Sequence, residues 1–174
     1  AKKDAINLPD TAKVEKGFAN LEKHIENMKC FGMKPIVAIN YFPADTEEEI
    51  NLLQQLYRQS GVDAIVCKGF SEGGKGMTNL AKAVTEIIEK KESSFHPLYN
   101  SDLSVEDKIH SIASNIYGAR SVAYSAKAKA QLKRINELGF DKFPVCMAKT
   151  PKSLSDDEKK IGRPTDFVIT VREF

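Results

Sequence analysis

The sequence predicts an α/β fold, a mostly parallel sheet with flanking helices in alternating strand–helix order. Apolar, largely β-branched runs at 34–40, 63–68, 143–148 and 167–174 read as strands. The stretches between them repeat apolar residues at helical spacing, several behind capping signals. Such alternation implies a parallel sheet with right-handed crossovers.

Residues 14–31 read as the first helix, with Val14, Phe18, Leu21, Ile25 and Met28 on one face. In strand 34–40, Ile36, Val37 and Ile39 suit burial on both faces, and Pro43 ends the strand by Phe42. Thr46 and Glu49 form a capping box for helix 46–60: the hydroxyl takes an orphan N–H and the carboxylate reaches back. Glu47, Glu48 and Glu49 occupy the first turn, where the helix dipole favours negative charge. Ile50, Leu53 and Tyr57, with Leu52 and Leu56, mark its apolar face, and Gly61 is its stop. Strand 63–68 leads into a glycine-rich loop at 69–76. A helix follows at 78–91, with Leu80, Ala81, Val84, Ile87 and Ile88 apolar. Residues 92–103 form a loop broken at Pro97. Ser104 and Asp107 make a second capping box, opening a helix that runs to about Ile116 and stops at Gly118. Ser125 caps a helix to Leu138, which Gly139 ends. Strand 143–148, a long polar loop and strand 167–174 complete the order. The whole reads as one α/β unit over 1–174, with a lobe at 1–100 and helices plus two further strands at 101–174.

With 174 residues the chain is long enough for a real core. Its 26 basic and 24 acidic residues leave a net charge of +2, which gives no reason to expect nucleic acid or a membrane as partner. No apolar stretch approaches a membrane span and no signal peptide is visible. Cys30, Cys67 and Cys146 are scattered, which fits a reducing compartment and neither a disulfide framework nor a zinc site. Cys67 and Cys146 lie in apolar runs and read as small buried hydrophobes. The chain begins without Met, as a cut made inside a longer protein would.

Two places carry chemistry. Residues 69–75 fit G-x-x-x-x-G-K between a strand and a helix, the setting of a phosphate loop. Gly76, however, stands where that loop needs Ser or Thr for magnesium. The alternatives are a plain glycine-rich turn, or a turn whose glycines admit a flat ligand with Phe70 as stacking face. Phe42 ends a buried strand, where open α/β sheets bind ligands. Lys149, after strand 143–148, either reaches an anionic group or is a solvated loop lysine. His24, His96 and His110 have no ligand spacing, and no metal site is expected.

Four stretches, LEKHIENMKCFGMKPIVAINYFPADTEEEI, EGGKGMTNLAKAV, DKIHSIASNIYGA and LGFDKFPVCMAKTPKSLSDDEKKIGRPTDFVITVRE, span nearly the whole chain in order. They resemble formate–tetrahydrofolate ligase, also called formyltetrahydrofolate synthetase. That family makes 10-formyltetrahydrofolate from formate, tetrahydrofolate and ATP through formyl phosphate. The resemblance implies an internal piece of such a ligase, cytoplasmic or in an organelle of reducing interior. ATP with magnesium and tetrahydrofolate would be substrates of the parent enzyme, none held tightly by this chain. Its partners would be the remainder of the ligase chain and further copies of the parent in a homo-oligomer.

The resemblance also assigns residues. The family's V-A-I-N-x-F-P-x-D-T and W-x-x-G-G motifs supply two aromatics that sandwich the folate ring. Phe42 matches the first, and Phe70 stands where the family usually has Trp, with less stacking area. Val66 matches an apolar position of the pocket, while Asn40, Pro43, Gly73 and Gly74 are motif residues around it. The 1–100 lobe is then the folate side. The phosphate loop and formyl-phosphate residues of the family lie upstream, so no catalytic residue is expected here and the isolated chain should be inactive. A degenerate, non-catalytic relative and an independent phosphate-loop module are the competing readings.

Overall fold

The computed structural model describes residues 8–174. It is α/β, as expected, and divides into two compact units at residues 95/96.

In the first unit α1 (Thr11–Lys29) starts earlier than the apolar spacing implies, because Asp10 caps it. The Asp10 carboxylate accepts the Lys13 N–H at 3.0 Å. β1 (Ile36–Asn40) follows, then α2 (Glu47–Gln59) behind the Thr46 capping box. Thr46 Oγ1 accepts the Glu49 N–H at 3.3 Å and donates to Glu49 Oε2 at 2.8 Å. The other Glu49 oxygen accepts the Asp10 N–H at 2.8 Å, so one carboxylate joins the starts of two helices. The Asp10 N–H first, then Thr46, hold the Glu49 carboxyl below its ordinary range. Thr46→Ala should therefore lower stability by about 1 kcal/mol, the usual value of an N-cap. Urea unfolding checks this; an unmoved midpoint would mean that Glu49 caps the helix without the hydroxyl.

β1 pairs in parallel with β2 (Asp63–Cys67), from Ile36 opposite Asp63 to Asn40 opposite Cys67. Ile25, Ile39, Tyr57 and Val62 form the buried core, with Phe18, Leu21, Leu53 and Val66 packed around it. Phe18 meets Tyr57 edge-on, ring centroids 5.2 Å apart. Residues 69–77 are not the open loop expected. Gly69–Glu72 makes one helical turn (α3), and Gly73–Met77 makes a 3-10 turn into α4 (Thr78–Lys90).

The second unit opens with α5 (Val105–Ser111), capped by Ser104 Oγ on the Asp107 N–H at 3.1 Å. The helix does not continue as α to Ile116. It widens into a π-helical stretch, Ile112–Tyr117, ended by Gly118 at φ +76°. Side chains bond back onto the preceding turn there: Ser114 donates to His110 O at 2.7 Å and Asn115 to Ser111 O at 2.9 Å. β3 (Ser121–Tyr124) was not expected from the sequence. It pairs in parallel with β4 (Val168–Val171), and α6 (Ala126–Glu137) lies between them in the chain.

The expected strand at 143–148 belongs to neither sheet. Val145 and Met147 still face the core, and Cys146 is exposed, not buried as expected. A side chain replaces the neighbouring strand: the Tyr99 hydroxyl accepts the Val145 N–H at 2.9 Å and donates to its carbonyl at 3.4 Å. Side chains also serve the outer edge of β4. Asp156 Oδ2 accepts the Thr170 N–H at 3.0 Å. Beyond the end of β4, Gln131 brackets Phe174, accepting its N–H at 2.9 Å and donating to its carbonyl at 3.2 Å. Lys108 is wholly buried, its ammonium donating to Asp141 O at 2.6 Å and Phe143 O at 3.3 Å.

Candidate functional site

The parallel register of β1 and β2 ends both strands on one edge, Asn40 opposite Cys67, with Tyr41 N–H donating to Cys67 O at 2.9 Å. The segments leaving that edge carry Phe42 and Phe70. Their ring centroids are 5.5 Å apart, planes tilted by 50°. Both are unusually open for phenylalanine, 46% and 76% exposed. Beside them the Lys68 ammonium lies 5.2 Å from the Tyr41 ring centroid. Apolar faces presented to water at the carboxyl edge of a parallel pair suit a flat, partly apolar ligand.

Phe42 sits in a tight turn. Its carbonyl accepts the Asp45 N–H at 2.9 Å, and its own N–H donates to Asp45 Oδ2 at 2.8 Å. Pro43 occupies the second turn position, where its fixed φ is suited. Phe70 is carried by α3, whose base is closed by Lys68 N–H donating to Gly76 O at 3.1 Å. A Cβ on Gly76 would come within 2.5 Å of the Lys68 carbonyl oxygen. The Ser or Thr of a phosphate loop would be driven into that carbonyl, so the chain path at 69–77 is a compact aromatic-bearing turn. Gly73 adopts φ 59°, ψ −141°, which a side chain would disfavour, and Gly74 has open space around it.

The model used to describe one family, formate–tetrahydrofolate ligase, matches residues 1–174. The chain belongs to the formate–tetrahydrofolate ligase family. It is also 44% identical over 173 residues to formate–tetrahydrofolate ligase 2 of Lactobacillus acidophilus. That alignment covers 99% of this chain and 31% of the relative, so the chain spans about a third of the relative's length.

The other candidate residues, Asn40 and Val66 from the ligase resemblance and Lys149 from its place after the 143–148 run, are placed as follows. Asn40 is exposed at the end of β1, and Val66 packs against the core of the first unit. Lys149 belongs to the second unit. Its ammonium donates to the carbonyls of Thr150, Ser153 and Ser155 and lies 4.8 Å from the Tyr117 ring centroid. Burial holds its pKa below the ordinary lysine value, with Asp156 acting the other way. It lines a cavity of about 540 Å³ with Val145, Met147, Asp156 and Ile169, which includes neither aromatic of the pair. Among the described residues, no group of three or more His, Cys, Asp or Glu is placed to hold a metal, and no helix is long and apolar enough to cross a membrane. The sequence reading missed the bond from Phe42 to Asp45, although a proline followed two residues later by Asp is a turn signal.

Proposed function

We infer that this chain is the folate-side segment of a ligase that formylates tetrahydrofolate to 10-formyltetrahydrofolate at the expense of ATP. Phe42 and Phe70 are the surfaces on which the pterin stacks. The observation that carries this reading is the meeting of two exposed aromatics at one strand edge of a chain in this family. ATP with magnesium, formate and tetrahydrofolate are the substrates, and the remainder of the ligase supplies the phosphate chemistry. The parent is a cytoplasmic homo-oligomer.

Each stacking contact contributes about 0.5–1.5 kcal/mol beyond area burial. In the full-length ligase Phe42→Ala should therefore weaken tetrahydrofolate binding by about tenfold, 1.4 kcal/mol being one decade. Phe70→Trp should tighten it by enlarging the stacking face. Equilibrium titration with tetrahydrofolate checks both. A Phe42→Ala enzyme that binds folate as the parent does would end the assignment.

A further inference from the structure

We propose that Asp45 is a positioning residue of the folate site: it mounts Phe42 as a fixed jaw against which Phe70 opens. This rests on the stacking assignment above and adds how the stack is made.

The starting point is that the jaws are shut. Centroids 5.5 Å apart with planes tilted by 50° leave no room for a third ring between them. A sandwiched ring sets the outer planes about 7 Å apart, twice a carbon–carbon contact of about 3.5 Å. One aromatic must withdraw before a pterin can enter.

The two are mounted differently. Asp45 holds the Phe42 backbone at both polar groups: its N–H on the Phe42 carbonyl and its carboxylate on the Phe42 N–H. Pro43 removes one rotation from the intervening turn. Capping by Thr46 begins α2 at the next residue, so the turn is anchored at its far end too. Phe70 has no comparable hold. It is 76% exposed on a single helical turn, followed by Gly73 and Gly74, where an added Cβ would meet nothing within 4 Å. The backbone under Phe70 is closed by Lys68 N–H on Gly76 O, Glu72 N–H on Lys68 O and Gly73 N–H on Gly69 O, but among the described residues no side chain locks the residue as Asp45 locks Phe42. Phe70 therefore opens by rotation of its exposed side chain. Folate binding must displace the ring–ring contact, and the displacement is productive only if the opposite ring stays in place. Asp45 supplies that fixity without touching the ligand.

The test uses the full-length ligase with Asp45→Ala, Asp45→Asn and Phe42→Ala. Asp45→Ala should raise the KM for tetrahydrofolate about ten- to a hundredfold, the size of one lost hydrogen bond to a charged group. The KM values for ATP and formate should not move. Asp45→Asn keeps an oxygen that accepts the Phe42 N–H and should raise that KM by no more than about five- to tenfold, between the parent and Asp45→Ala, since a neutral acceptor retains part of the bond. A rise shared by all three substrates, or an Asn variant as impaired as Ala, overturns the positioning role. If Phe42→Ala raises the folate KM while Asp45→Ala does not, the positioning role fails and the stacking assignment stands. If Phe42→Ala leaves that KM unmoved, both fail. Should Asp45→Ala not fold, amide exchange on the 174-residue chain decides: the Phe42 N–H is slow in the parent and in Asp45→Asn, and fast exchange in the parent overturns the lock.

Discussion

Lys108→Ala is expected to destabilise the second unit by about 3–5 kcal/mol, a large part of a domain's stability. Lys108 has no accessible surface, yet its ammonium is satisfied by the carbonyls of Asp141 and Phe143. It belongs to α5, whose Val105 and Ile109 form with Leu132 a buried cluster of that unit. Alanine would empty the space of the stem and strip two carbonyls of a charged donor, each loss adding to the other. Lys108→Met separates the terms. It fills nearly the same volume and should cost about 1–3 kcal/mol, the part belonging to the unpaired carbonyls. Urea unfolding of the three proteins measures both. Equal losses in Ala and Met would mean that packing contributes nothing, and a harmless Met would mean that the carbonyls find water.

The second large effect is at Gly76. Gly76→Ala should cost about 2–3 kcal/mol, the range of overpacking against atoms that cannot give way. The clash is with backbone: the new Cβ would lie 2.5 Å from Lys68 O and 2.6 Å from Lys68 C. The neighbouring Gly74→Ala is the control, within about 0.5 kcal/mol of the parent, because the space around Gly74 is open. The same urea experiment reads both, and equal midpoints would show that residues 69–77 do not keep this path in solution. Because Gly76 closes the segment that carries Phe70, its alanine variant should also lose folate binding in the full-length ligase.

Local signals were legible in the sequence where the physics is local. Thr46 and Glu49 lie three residues apart, and the box they form depends on little else. The β1–β2 pair was legible because its apolar runs are long and joined by a clear helix. Legibility failed where a distant group decides. The 143–148 run has a strand's alternation, but the Tyr99 hydroxyl, 46 residues away, takes the backbone groups of Val145. β3 is only four residues long and offered too short a pattern. At the candidate site, Phe42 and Phe70 could be picked out from motif and strand end. The turn that holds Phe42 and the contact of Gly76 with Lys68 needed coordinates, since both are matters of ångströms and not of residue type.

The outer edge of β4 has a consequence for handling the chain. An open strand edge is a template on which other molecules can add their own strands. Here the Thr170 N–H is occupied by Asp156, and the backbone of Phe174 by Gln131. On the VITV segment itself, the Asp156 carboxylate occupies the N–H of Thr170. Asp156→Ala would free that N–H, and the chain should then aggregate at concentrations harmless to the parent.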